Sequence, residues 1–379
     1  MRKEVKLGDI CNILNGYAFK SKEYVEDGIR IIRITNVQKG IIQDTDPKYY
    51  HIDKIETLKN YMLKENDLLI SLTGNVGRVG QISKELLPAG LNQRVGCIRI
   101  KEEKDVSIDY LYQYFNSYNF ERDCINNSKG IAQKNLSTEW LKNYMMKIPI
   151  LDEQNRIAIE LRQIQRIKDL KQQQLKELDQ LIKSQFVEML GNGKYPKILL
   201  KEVLVQNQNV EKIENTKKEK FVTVGINGKG ARERIIKDGK WPVPFIGYRV
   251  KRGQFIYSRI DARNGAFAII PNSLDNAVVS KDFPIFKIDD NKIKPEILLF
   301  SLLKESFINR IKNSSFGATN RQRIKEGIFL NYNIYLPPIA LQNQFSEIVK
   351  QIDKQKFEIE KSLKETQELY ESLMEKYFG

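Results

Sequence analysis

A chain of 379 residues exceeds what one ordinary core sustains, so two or more domains are expected, and 41% hydrophobic residues with 17 Phe and 17 Tyr exclude wholesale disorder. Lys and Arg (63) outnumber Asp and Glu (48), and the net charge of +15 points to a polyanionic partner, by default nucleic acid. Three scattered cysteines, one histidine and no run of 18 apolar residues argue against a zinc site, a disulfide framework and a membrane span; MRKEVKLGDICNIL lacks a signal-peptide core, so a cytoplasmic protein is expected.

Residues 1–147 read as a mainly β globule. Strand-like pieces are IRIIRI (29–34), DLLISL (67–72) and VGCIRI (95–100), and YLYQYFNSYNFERDC (110–124) reads as an amphipathic helix. The intervening polar loops are ITNVQKG (34–40), TGNVGR (73–78), LNQR (91–94) and SKGIAQKN (128–135). They offer Arg33, Thr35, Asn36, Thr73, Asn75, Arg78, Asn92, Gln93, Arg94, Lys129, Gln133 and Lys134. Arg suits guanine, Asn and Gln suit adenine, and Lys, Ser and Thr reach phosphates or either base. Residues 148–191 read as one long helix.

The plan then starts again. Residues 192–335 contain QFIYSRI (254–260), GAFAIIP (265–271), FPIFKI (283–288) and the helical EILLFSLLKESFINRIK (296–312). From Gly225 to Arg263 stand ten Lys and Arg against three acids. Candidate DNA contacts are Asn227, Lys229, Arg259, Arg263, Asn264, Ser280 and Lys281, with Thr319, Asn320, Arg321, Gln322 and Arg323 from the loop NSSFGATNRQRIK (313–325). In both halves a strand ending in serine (Ser71, Ser258) precedes a polar glycine loop. Residues 336–379 form a second long helix.

The two helical stretches repeat each other. Residues 143–191 and 331–379 align without a gap at 14 identities in 49 positions, including Pro149/Pro337, Gln154/Gln342 and Asn155/Asn343. A 4-3 spacing collects Ile157, Leu161, Ile164, Lys168, Lys171, Leu175, Leu178, Ile182, Gln185 and Met189 in the first copy. In the second it collects Phe345, Val349, Ile352, Lys356, Ile359, Leu363, Thr366, Tyr370, Leu373 and Tyr377. A seam this narrow is a coiled-coil signature, so the helices are expected to pair with each other, with Gln154 and Gln342 at their entries. Pseudo-twofold symmetry makes the pair antiparallel, and each helix spans roughly 60 Å at 1.5 Å per residue. Gly191 and Gly379 stand where left-handed caps would fall.

Catalytic motifs are weak. DPKYY (46–50) departs from a DPPY-type base-holding loop at Lys48, LTGNVGRVG (72–80) lacks the lysine–hydroxyl end of a phosphate loop, and His51 stands beside no obvious nucleophile. No catalytic, metal or cofactor site is expected in the chain.

Taken in order, these segments resemble the specificity (S) subunits of Type I restriction–modification systems over essentially the whole chain. The helix entries IPILDEQ and LPPIALQ are similar to the aliphatic-Pro-xxx-x-Gln opening of that family's central and C-terminal conserved regions. GQFIYSRIDARNGAFAIIPNSLDNAVVSKDFPIFKID (253–289) and DLLISLTGNVGRVGQI (67–82) resemble two types of its target recognition domain, and GIAQKNL (130–136) and GATNRQRI (317–324) its closing stretches. The resemblance implies an α+β fold with two target recognition domains (1–147 and 192–335) separated by two antiparallel coiled-coil helices (148–191 and 336–379). Each domain would read half of a bipartite double-stranded DNA target. The helices would set the spacing and bind two methyltransferase subunits, and restriction subunits would dock on that core. S-adenosylmethionine, ATP and Mg²⁺ would belong to those partners. Two alternatives stay open: a stand-alone DNA methyltransferase or nuclease, and a coiled-coil adaptor that binds DNA without reading sequence.

Overall fold

The structure, a computed structural model, describes residues 2–102, 104–130, 134–191, 195–236, 239–314 and 323–379. It falls into two compact units, Met1–Gln172 with Lys361–Gly379, and Gln173–Glu360. The division cuts through both long helices, Leu151–Leu190 and Ile339–Phe378, so each unit owns one globule and part of each helix.

In the first unit a four-stranded antiparallel sheet runs in the order Cys11–Asn15, Val95–Ile100, Leu68–Ser71, Val79–Gln81. All four residues of Leu68–Ser71 are buried, so this strand lacks the alternation of a one-sided strand. Lys3–Lys6 pairs antiparallel with Met145–Ile148 and brings the start of the globule to the foot of the long helix. A smaller sheet pairs Ile29–Ile32 antiparallel with Tyr49–Tyr50 and parallel with Ala89–Leu91. DPKYY therefore ends inside this sheet, where Tyr50 is buried.

The second unit repeats the principal sheet strand for strand: Leu204–Gln206, Ile285–Ile288, Phe255–Tyr257, Phe267–Ile269, again antiparallel. Lys197–Leu199 pairs with Asn333–Tyr335 as Lys3–Lys6 does with its partner. The fillers differ. The first core packs Leu68, Ile70, Val79 and Ile98, whereas the second stacks Phe255, Tyr257, Phe267, Phe286 and Phe329, with Tyr257 and Phe329 centroids 4.4 Å apart. A topology kept while its apolar volumes are exchanged explains why the globules share a plan but little sequence.

Each helix expected after the sheet is a pair. Ile108–Phe115 and Tyr118–Asn126 meet at Ser117, whose hydroxyl accepts from the Phe120 N–H. Pro295–Leu302 and Glu305–Asn313 meet at Leu303–Lys304 without a side-chain cap.

The long helices pack antiparallel within each unit. In the first, the Tyr377 hydroxyl donates to Glu160 at 2.7 Å, and Lys168 lies 4.7 Å above the Tyr370 ring. Lys171 donates there to Ser362 O, Ser362 Oγ and Thr366 Oγ1 at 3.1, 2.7 and 2.7 Å. In the second, Lys356 meets Asp179 at 2.6 Å and the Phe186 ring packs on Phe345. The lysines of the 4-3 pattern are thus polar cross-helix contacts. Ile157 and Leu161 are buried with the first globule's core, as are Phe345, Val349 and Ile352 with the second's, and Ile164 is buried as well. Leu175, Leu178, Ile359, Leu363, Tyr370 and Leu373 are half-buried. Phe186, Leu190 and Phe378 complete these cores from outside the 4-3 set.

Gln154 and Gln342 serve the globules. The Gln154 side-chain oxygen accepts from the Ser107 N–H at 3.0 Å and its amide donates to Pro149 O at 2.9 Å. Gln342 accepts from the Lys294 N–H at 2.9 Å and donates to Pro337 O and Lys292 O at 2.8 and 3.1 Å. Ser107 and Lys294 are the N-cap residues of Ile108–Phe115 and Pro295–Leu302, so the repeated Pro-xxxx-Gln ties each long helix to the same point of its globule. The expected left-handed caps do not form: Gly191 and Gly379 donate to Val187 O and Glu375 O, continuing the helical pattern, and neither has a positive φ.

Candidate nucleic-acid interface

In the first unit the loop after Leu68–Ser71 is held from beneath. Ser71 is buried, and its hydroxyl donates to Asn75 O at 2.5 Å and accepts from the Arg78 N–H at 3.0 Å. Gly77 closes the turn at φ +83°, and a Cβ there would stand 2.8 Å from the Cys124 Cβ, so both conformation and space require glycine. The chain leaving Lys134 comes alongside: Gly74 N–H donates to Lys134 O, and Thr73 bridges to Asn135. Thr35, Gln38, Thr73, Asn75, Arg78 and Arg94 thereby line one cleft of about 300 Å³. Among the described residues, none of the ten that line it is acidic.

The other candidates of this unit lie elsewhere. Asn36 is buried, and its amide donates to Gln43 O and Asp44, so it holds a turn. Arg33 is spent on Asp46, which Lys48 and Arg33 together hold below the usual carboxylate range. Asn92 bridges to Tyr17, Gln93 is exposed beside it, and Lys129 is exposed on the backbone pair it makes with Asn135. Gln133 lies outside the described residues. Gln38 carries no sequence signal of its own, because its position in ITNVQKG says nothing of which way an amide turns.

In the second unit a network gathers several segments. Asn227, at φ +56°, donates its N–H to Asn264 O at 2.7 Å, and Gly228 donates to Gly265 O, so the Gly225–Gly230 loop leans on the one after Phe255–Tyr257. Ser258 caps that loop by accepting from the Asp261 N–H, as Ser71 does in the first unit. Arg259 donates its N–H to Asp282 O, and its guanidinium pairs with Glu326. Arg259 is therefore a clamp within the globule. Arg323 reaches Asp282 at 3.4 Å. Lys229, Asn264 and Lys281 are exposed, and Arg263 and Ser280 are half-buried. Thr319, Asn320, Arg321 and Gln322 lie outside the described residues. Of the ten basic residues from Gly225 to Arg263, Arg249 is also neutralised internally. It meets Glu211 and Glu219, and holds Glu219 below its ordinary value.

Among the described residues no group of three or more His, Cys, Asp and Glu could hold a metal ion, and no helix is long and apolar enough to cross a membrane.

The family model of the Type I restriction modification DNA specificity domain matches the chain twice, over residues 2–180 and 188–369. The specificity subunit of the Type I restriction enzyme EcoAI of Escherichia coli is 34% identical over 156 residues, 40% of this chain and 26% of that protein. That of MjaVIII from Methanocaldococcus jannaschii is 27% identical over 194 residues, 50% of this chain and 45% of that protein. The chain thus spans less than half the length of these curated relatives. In fold it is similar to the crystal structure of a Type I restriction–modification S subunit from M. genitalium, with a TM-score of 0.60 at 13% identity over 100% of this chain and 96% of that one. A structure from work on assembly and conformational transition of the type I R-M system gives a TM-score of 0.57 at 15% identity, over 100% and 97%.

Proposed function

Because this chain belongs to the Type I restriction–modification DNA specificity family, we propose that it is the sequence-reading subunit of such a system. Each globule reads one half of a bipartite double-stranded DNA target, and the long helices fix the spacer between the halves. Two methyltransferase subunits bind the helices, and restriction subunits join that core in the cytoplasm. The chain itself is non-catalytic; S-adenosylmethionine, ATP and Mg²⁺ act on its partners.

One observation carries this reading. The same sheet order occurs twice, and after the same strand each globule presents a different polar loop braced by an equivalent serine. Such a plan keeps the scaffold and varies the residues that meet DNA. Apolar side chains exposed on the helices, among them Ile167, Leu170, Leu181, Phe357 and Leu369, support a role in holding partner subunits.

The test is to express the chain with its methyltransferase subunits in a host lacking DNA methylation and to sequence the modified bases. A two-part motif that disappears when the chain is omitted is the expected result. Methylation without the chain contradicts the proposal. Binding by the purified complex that ignores sequence and collapses with salt supports the adaptor alternative.

A further inference from the structure

Within the DNA-reading role proposed above, on which this rests, we infer that Gln38 and Arg78 form one base-reading unit: Arg78 addresses a guanine edge and Gln38 holds it in position. The polar contacts around Arg78 are ordered from the backbone outward. Its N–H donates to the buried Ser71 hydroxyl, and its carbonyl accepts from the Ser71 N–H, both at 3.0 Å. Its Nη1 donates to Gln38 Oε1 at 2.7 Å. Gln38 is turned the right way for this, because its Nε2 donates to Thr35 O at 2.9 Å, leaving the oxygen to face the guanidinium. Gln38 sits in turn on a small hairpin, Val37–Gln38 with Ile41–Ile42, tied to the principal sheet by the Gly40 N–H on Val79 O at 2.8 Å.

The chemistry of the holding group separates Arg78 from three other arginines of the first unit. Arg30, Arg33 and Arg99 each meet a carboxylate, those of Asp44, Asp46 and Asp67, which neutralises them within the fold. Gln38 is neutral. It fixes the direction of the guanidinium and leaves its charge intact in a cleft whose described lining residues include Arg94 and no acid. One N–H is spent on Gln38, and the remaining donors still include a planar two-pronged fork. Such a fork matches the O6 and N7 acceptors of guanine, which no other base presents together in the major groove. A phosphate would also accept from this fork, but a phosphate contact carries no sequence information, and the motif readout below separates the two. Gln38 is therefore a positioning residue and Arg78 the specificity-determining one.

The test uses the complex with its methyltransferase subunits and reads the methylated motif base by base. Arg78→Lys keeps the charge but loses the fork. It is expected to relax one G·C position in one half-site, with discrimination falling roughly 10- to 100-fold, while the other half stays intact and reports a folded subunit. Gln38→Ala is expected to relax that same position by a smaller factor. An unchanged motif with Arg78→Lys, or methylation reduced evenly at every site, would mark Arg78 as a phosphate contact and overturn the inference. Relaxation of a different position by Gln38→Ala would overturn the pairing. If the wild-type complex modifies no bipartite motif, the DNA-reading role itself fails, an outcome separate from any behaviour of these variants.

Discussion

Gln154→Met tests how the long helix is joined to its globule. The side chain is 1% exposed, and methionine preserves its length and most of its volume, so the cavity contribution is small. What disappears is a two-sided clamp, the bonds to the Ser107 N–H and Pro149 O. An unpaired buried polar group costs about 1–3 kcal/mol. Pro149 is buried and takes the upper part of that range, whereas half-buried Ser107 recovers some hydration and takes the lower. The sum is about 2–4 kcal/mol, or roughly 30- to 1000-fold in a local opening equilibrium. Native-state hydrogen exchange reads this directly at the amides of Ser107 and Ile108–Phe115. Gln342→Met removes three bonds and is expected to cost somewhat more at Lys294 and Pro295–Leu302. A change below about 0.5 kcal/mol at Ser107 would refute the clamp, since solvent or a neighbour would then be replacing the glutamine.

Three further outcomes follow from the same structure. Phe329→Ala, which empties the centre of the second unit's aromatic stack, is expected to cost about 3–5 kcal/mol in urea unfolding; a loss under 1 kcal/mol would show the stack collapsing without penalty. Burial pushes the Cys11 thiol from its ordinary 9.0 up to about 12 and raises Cys97 and Cys124 as well. Above pH 9 the unfolded chain therefore releases protons that the folded chain keeps. Stability should fall with rising pH by about 1.4 kcal/mol per unit for each thiol, and a flat profile from pH 8.5 to 10.5 would contradict this. Inserting seven residues into both long helices adds about 10 Å and is expected to lengthen the DNA spacer by about three base pairs without altering either half-site; altered half-sites would argue against a purely spacing role.

The helices were legible because their physics is local. A 4-3 apolar rhythm and Pro-xxxx-Gln appear within one stretch of chain, and both long helices form close to the expected bounds. The strands 29–34, 67–72 and 95–100 were also visible, being dense in β-branched and other apolar residues. The pairing of Lys3–Lys6 with Met145–Ile148 was not, because it depends on loop closure across the whole globule. The break at Ser117 carries a short capping signal inside a strongly amphipathic run, and the break at Lys304 carries none. At the candidate interface the sequence named residue types suited to DNA but could not sort them by partner. Arg33, Arg78 and Arg259 look alike as letters, yet one is spent on Asp46, one is held by a neutral amide and one clamps Glu326. The repeat of Gln154 and Gln342 at the helix entries is visible in sequence, but their bonds to the N-cap residues Ser107 and Lys294 are seen only in the fold.

The central claim, one globule for each half of the target, is tested most directly by replacing residues 192–335 with the corresponding domain of a relative that recognises a different sequence, then mapping the modified motif. The account predicts that one half-site changes to the donor's while the other half remains. A change in both halves, or in neither, would contradict it.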